Sequence, residues 1–281
     1  MGNCVKIRVN MGNVWDRATE FLSDHLSAIL PIALVAMVLP TAVSSSIAPL
    51  GKLGGMPAML VSLASLVFSI ITLWAQLAIV ALVLDRAGGR GLAMQVARKR
   101  LLPLIGILAV LLIAFIILML PLPILLATSG FDIQAAMTHS RVEIPPTVAG
   151  YVAVYLLVLV PVMIFVSARL VLLTPVVVYE PLGLGALRRS FVLTQGLVWK
   201  IIGMLILYGI VAGVAILATR TVFGSVLRLV LGGDGLVTTA SVLTALIGAV
   251  VQTVFVVLAA AFTAKLYLAV RDARGAIVES I

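Results

Sequence analysis

Charge is scarce in this chain of 281 residues: only 10% of its side chains are Asp, Glu, Lys or Arg. A soluble domain carries about 25%, and a water-facing surface of this size needs many more polar groups. With 63% hydrophobic residues and a mean hydropathy of +1.29, the apolar mass exceeds what one core hides. The surrounding solvent has to be lipid. Metal-binding side chains are almost missing, with one cysteine, Cys4, and two histidines, His25 and His139. A lone cysteine excludes a disulfide within the chain, and the three residues together exclude a Cys/His metal cluster. Cys4 reads as a free thiol in an N-terminal tail. The opening "MGNCVK" lacks the Ser or Thr that N-myristoylation needs at position 6, where Lys6 stands. The same Met-Gly-Asn recurs at 11–13, so Met1 and Met11 both fit a start. Aromatic residues are only 6%, so Leu, Val, Ile and Ala supply the apolar mass. They come in long unbroken runs, which point to helices; a membrane β-barrel shows short alternating segments.

About 20 apolar residues cross the hydrocarbon as a helix. Six runs meet that length: 26–46, 57–84, 104–127, 147–170, 197–218 and 241–268. The first is expected to remain as an uncleaved helix rather than a signal peptide, because Asp16, Glu20 and Asp24 precede it where a short basic region belongs. With the N-terminus inside, the outer segments hold Lys52, Arg141, Arg220 and Arg228, leaving 15 of the 19 basic residues inside. That bias predicts both termini in the cytoplasm and residues 129–146 outside. The net charge of +9 then reads as orientation and contact with anionic lipid. Nucleic acid is excluded as a partner, since no basic face is interleaved with aromatics.

A short segment of similar design precedes each odd-numbered crossing. Before the first, Val14, Ala18, Phe21 and Leu22 form one apolar stripe over residues 13–25. Before the third, Leu92, Val96 and Ala97 lie beside Arg98, Lys99 and Arg100. Before the fifth, Leu184, Leu187 and Phe191 lie beside Arg188 and Arg189. Each is expected to be an amphipathic helix in the membrane interface. Pro175 and Pro181 should interrupt the helix before the last of these, and Gly183, Gly185 and Gly196 should let the chain turn. The expected fold is all-α: one integral membrane domain over 1–281, six crossings and three interfacial helices in a pseudo-threefold repeat of pattern.

Residues 169–203, "RLVLLTPVVVYEPLGLGALRRSFVLTQGLVWKIIG", resemble the bacterial glycerophosphoryl diester phosphodiesterase membrane-domain family. The shared order is an arginine, an apolar run with proline, a glutamate, then Ala186, Leu187, Ser190, Leu193, Thr194, Gly196 and Trp199. "VWDRATEFLSDHLSAILPIAL" and "KLYLAVRD" are similar to the same family. The resemblance implies a bacterial inner membrane protein. Some relatives carry a soluble phosphodiesterase domain after the membrane part; here the chain ends at Ile281, so that domain is not expected and the family name implies no activity.

The ten acids avoid the deep parts of the crossings, and His25 and His139 fall on opposite sides of the bilayer. No nucleophile, base or ligand set converges, so no catalytic residue, cofactor or metal is expected. The glycines around "GGDG" at 232–235 read as a turn. Candidate headgroup or interface residues are Arg98, Lys99, Arg100, Arg169, Arg188 and Arg189. Glu180 is expected to pair with Arg188 or Arg189 across the proline-containing turn, while Arg169 snorkels to phosphate or meets a carboxylate. Gln76 and Gln252 lie inside crossings, with Ser62, Ser65, Ser69 and Thr72 near the former; interhelical hydrogen bonding is their expected role. The leading functional expectation is a non-enzymatic module that binds or organises membrane lipid, anionic lipid above all, or a protein partner. Two alternatives stand beside it: a small transporter or lipid-translocating protein, and an accessory subunit of a separately encoded phosphodiesterase. A deep polar cavity lined by Gln76 and Gln252 would favour transport.

Overall fold

Prolines decide where the first span bends. In the computed structural model, residues 10–85, 89–128, 146–232, 235 and 237–279 are described, with side chains at all of these except 127–128, 146–148 and 275–279. Helix α1, Met11–Asp24, is capped by the Asn10 side chain, which accepts from the Gly12 N–H at 3.0 Å. The chain turns at His25 and continues as α2, Leu26–Ala33, a π-turn at Leu34–Val38, and α3, Leu39–Ile47, closing with a 3₁₀ turn at Ala48–Leu53. Pro31 and Pro40 flank the π-turn. Each lacks an N–H and frees the carbonyl four residues before it. The carbonyl freed by Pro31 belongs to Ser27, and the Arg90 guanidinium donates to it at 2.9 Å.

The second span is α4, Gly55–Leu84, and the third is α5, Gly89–Met119, extended after a turn by α6, Pro121–Thr128. The fourth is α7, Pro146–Leu170, followed by α8, Leu173–Tyr179. The break between α7 and α8 falls at Val171–Leu172, not at Pro175 itself, because the Pro175 ring would strike the Val171 carbonyl in a continuous helix. Helix α9, Gly185–Leu193, leads to the fifth span, α10 (Val198–Ala218), a π-turn at Thr219–Phe223, and α11, Gly224–Leu231. The sixth span is α12, Thr239–Glu279. No strand forms among the described residues.

Six helical stretches, 26–53, 55–84, 89–126, 149–179, 198–231 and 239–274, are long and apolar enough to cross a bilayer. Leu112, Ile113, Ile116 and Ile117 of the third span are exposed, as are Leu207, Ile210 and Val214 of the fifth. Such faces are stable only against hydrocarbon. The chain is a multi-pass integral membrane protein.

Its core is concentrated at the end of the bundle that holds α1. There Ala75–Val83 of α4, Leu173–Val178 of α8 and Ala260–Val270 of α12 bury their side chains together, apart from Gln76, Thr174, Thr263, Leu268 and Ala269, of which Gln76 and the other four are half-buried. Ala260, Ala261 and Ala264 let α1 approach α12 closely, and Val14, Ala18 and Phe21 fill the contact. Trp15 lies 6.0 Å from the Phe262 ring.

Two of the three expected interfacial helices are separate elements, α1 and α9. The second is a correction: residues 91–101 belong to the same unbroken helix as the third span. Pro103, near the middle of that helix, frees one carbonyl, that of Lys99, without ending it. The turn that detaches α9 from α10 depends on Gly196, whose φ of +82° only glycine adopts freely; nothing comparable stands between Arg100 and Leu104. Cys4, His139 and the loop 129–145 lie outside the described residues.

Candidate functional site

Charge interrupts the apolar chain at α9 in order to fasten that helix. Glu180 has an extended backbone ahead of Pro181, and Gly183, at φ +53°, reverses the chain into α9. The reversal brings Arg189 back onto Glu180, with Nε donating to Oε2 at 3.1 Å and to Oε1 at 3.3 Å. The Tyr267 hydroxyl of α12 donates to the same Oε1 at 2.7 Å. Tyr179 completes the cluster, 5.7 Å from the Tyr267 ring and 5.0 Å from the Arg271 guanidinium. Of the two expected partners for Glu180, the structure pairs Arg189 and leaves Arg188 exposed.

The C-terminal carbonyls of α9 are capped by cations from two spans. Arg169 Nη1 donates to the Phe191 carbonyl at 3.1 Å, and Arg274 Nη2 donates to the Val192 carbonyl at 2.7 Å. Both positions meet the negative end of the helix dipole. Ser190 Oγ, buried, donates to the Arg169 carbonyl at 2.7 Å. Arg169 also lies 5.2 Å from the Phe165 ring. Its described partners are thus a carbonyl and aromatic faces, rather than a carboxylate.

Arg98 and Lys99 are exposed and Arg100 is half-buried on the first turns of α5. Arg98 borders a trough of about 530 Å³ whose other walls are mainly Ile70, Ile71, Trp74, Met94 and Leu101. Arg188, Trp199 and Lys200 are exposed near α9, where Trp199 suits a bilayer interface.

The least expected feature is a polar groove inside the bundle. Gln76 of α4 and Gln252 of α12 line one cavity of about 360 Å³, with Thr41, Ser44, Ser45, Ser65, Ser69 and Thr72. Ser44 and Ser65 hydroxyls meet across it at 3.3 Å. Gln252 and Ser45 also line a second cavity of about 1080 Å³, which continues to Arg220, Thr221, Ser225 and Arg228. Their lining on α12 runs from Ser241 to Gln252, so the two cavities reach about 16 Å along that helix. Neither amide takes part in a hydrogen bond among the described residues; Gln76 is half-buried and Gln252 exposed.

The groove is readable in the spacing. Ser62, Ser65, Ser69, Thr72 and Gln76 recur at three and four residues, as do Ser241, Thr244, Gly248 and Gln252. Each set is one face of a helix. Taken residue by residue they look like scattered hydroxyls; taken as stripes they demand polar company. Arg220 and Arg228 are legible in the sequence only as orientation charges. Among the described residues no group of three His, Cys, Asp or Glu side chains comes together. Comparison with protein-family models, with curated proteins and with solved structures gave no match.

Proposed function

We propose that this protein is a non-enzymatic membrane module that binds a polar-headed lipid in the groove between its first, second and sixth spans. One observation carries the reading: Gln76 and Gln252 line one groove with a row of hydroxyls, and neither amide takes part in a hydrogen bond among the described residues. A primary amide turned toward hydrocarbon without a partner costs on the order of several kcal/mol. A lipid headgroup, or water accompanying it, removes that cost. Resemblance to the glycerophosphoryl diester phosphodiesterase membrane-domain family is part of the proposal, supported by residues 169–203.

The test is lipid retention. Protein purified in mild detergent should carry lipid into native mass spectrometry. Gln76→Leu with Gln252→Leu should lower retention about 30-fold, at roughly 1 kcal/mol for each hydrogen-bonding group removed. Unchanged retention by the folded double variant places the lipid elsewhere and defeats the reading.

The placing of Gln76 and Gln252 in one cavity, and its continuity with the arginine-lined cavity, also favour a second reading, lipid translocation. Vesicles holding a fluorescent phospholipid, quenched from outside, distinguish the two. Wild-type protein that speeds quenching of the inner leaflet, and leucine variants that do not, identify a translocation path. No acceleration by wild type leaves binding alone.

Orientation belongs to the same proposal: both termini in the cytoplasm of a bacterial inner membrane, with the arginine-lined cavity outside. In a Cys4→Ser background, His139→Cys should label from outside and Arg98→Cys from inside. Labelling of both from one side rules out this topology.

A further inference from the structure

The larger cavity contains two arginines that take no part in fastening α9. Arg220 lies in the π-turn Thr219–Phe223, and Arg228 in α11 about two turns further on. Both are exposed, and neither has a hydrogen-bond or carboxylate partner among the described residues. The π-turn itself is uncommon and widens the helix where it occurs, a feature frequent at binding sites.

The hydroxyls around the arginines are already committed as donors. Thr221 Oγ1 donates to the Leu217 carbonyl at 2.9 Å, and Ser225 Oγ to the Thr221 carbonyl. Ser241 Oγ donates to the Thr238 carbonyl and Thr244 Oγ1 to the Ala240 carbonyl, both at 2.7 Å. A hydroxyl has a single proton, so these four offer a ligand no donor of their own. What remains is two guanidinium groups, the Gln252 amide and the Ser45 hydroxyl, and no carboxylate lines the cavity among the described residues. Donors of that kind match an anion with several acceptor oxygens, and guanidinium fits phosphate best. Ile216, Leu229, Ala245 and Ala249 give the same cavity apolar walls on which an ester-linked chain can lie.

We propose that this cavity is a phosphate site, with Arg220 and Arg228 holding the phosphate oxygens and Gln252 at its deep side. The phosphate is that of a lipid headgroup or a free phosphate from water. In its lipid form the proposal rests on the lipid-binding reading above and names the headgroup chemistry of that groove. Two arginines serving only to anchor helix ends would bind any anionic surface and show no preference that depends on this cavity.

The experiment titrates the full-length protein, stripped of lipid in detergent, with phosphatidylglycerol and separately with phosphatidylcholine, counting bound lipid by native mass spectrometry. Wild type should prefer phosphatidylglycerol. Arg220→Gln or Arg228→Gln should each reduce the preference about fivefold, and the pair about 25-fold. Arg220→Lys with Arg228→Lys should keep most of it. Thr244→Glu, which leaves both arginines in place and adds a carboxylate to the wall, should reduce it as the glutamines do. Inorganic phosphate that displaces phosphatidylglycerol from wild type supports the site and assigns it to a soluble source; failure to compete, with the arginine dependence intact, assigns it to the lipid. Preference unchanged in both the double glutamine variant and Thr244→Glu overturns the proposal. If the Gln76→Leu, Gln252→Leu protein loses lipid while the arginine variants keep their preference, the groove reading stands and the phosphate site falls. If the arginine variants lose their preference while the Gln76→Leu protein, changed only in the groove, retains its lipid, the phosphate site stands and the groove reading falls.

Discussion

Replacing Tyr267 by alanine is expected to destabilise the protein by about 3–5 kcal/mol, the range for deleting a buried aromatic ring. Tyr267 is 0% exposed and is among the largest fully buried side chains. Its ring packs in the core of α12, and its hydroxyl holds Glu180, which holds Arg189 on α9. The loss therefore has two parts, and two milder variants separate them. Tyr267→Phe keeps the ring and removes one hydrogen bond to a charged acceptor, a cost of about 1.5–3 kcal/mol. Glu180→Gln keeps an acceptor for the hydroxyl but removes the ion pair with Arg189. That pair contributes little by itself, since Arg189 is 42% exposed and water screens it. The variants Tyr267→Phe and Glu180→Gln should be non-additive, because they act on one network. Reversible unfolding in a fixed detergent mixture, following tryptophan fluorescence, measures wild type, the single variants and the Tyr267→Phe, Glu180→Gln pair. A Tyr267→Ala cost near that of Tyr267→Phe would mean the ring is not packed as described.

How much of this structure is legible in the sequence depends on the length scale of each constraint. The bilayer imposes runs of about 20 apolar residues, so all six spans stand out in the chain. The interfacial stripe of α1 needs only helical spacing, and Val14, Ala18 and Phe21 are buried where it puts them. The Glu180 pairing is legible because both partners sit within ten residues in an otherwise apolar stretch. Beyond that range the sequence says less. Tyr267 is 87 residues from Glu180, and Arg274 is 82 from Val192. Those contacts exist because α12 packs against α8 and reaches the end of α9, which no local pattern specifies. Arg169 is expected from sequence to seek phosphate or a carboxylate; a helix C-terminus offers carbonyls of partial negative charge, and a cation is satisfied there too. The ends of helices are the weakest point. Pro175 is in the first turn of α8, and its effect shows four residues upstream. The groove is legible only in part: each stripe shows in the spacing, but the two lie on spans far apart in the chain, and each alone is compatible with ordinary hydrogen bonding between helices.

Phe21→Ala should release α1 from the bundle, with a comparable loss of about 3–5 kcal/mol. Phe21 is 1% exposed and lies between two different partners. His25 stacks on it, with ring centroids 4.3 Å apart, and the Lys265 ammonium of α12 lies 4.7 Å from its ring centroid. Lys265 is only 8% exposed, so a cation–π contact here is worth more than at a wet surface, about 2 kcal/mol. Helix α1 is short and depends on docking to stay ordered; isolated helices under about 12–15 residues are marginal in water. Its remaining anchors are Val14, Ala18 and the Trp15–Phe262 contact. Removing the ring leaves a cavity against the alanines of α12 and takes away the aromatic face opposite the ammonium. Phe21→Leu restores much of the volume and none of the π face, so the difference between the leucine and alanine variants isolates packing from the cation contact. The readout is local. In a Cys4→Ser background, Ala18→Cys reports on a position that is 0% exposed when α1 is docked. A thiol reagent should label it slowly in the otherwise native protein, faster with Phe21→Leu, and fastest with Phe21→Ala, while the six spans stay inserted. Equal labelling in all three would show that α1 is held by its other contacts, and that Phe21 fills space without fastening the helix.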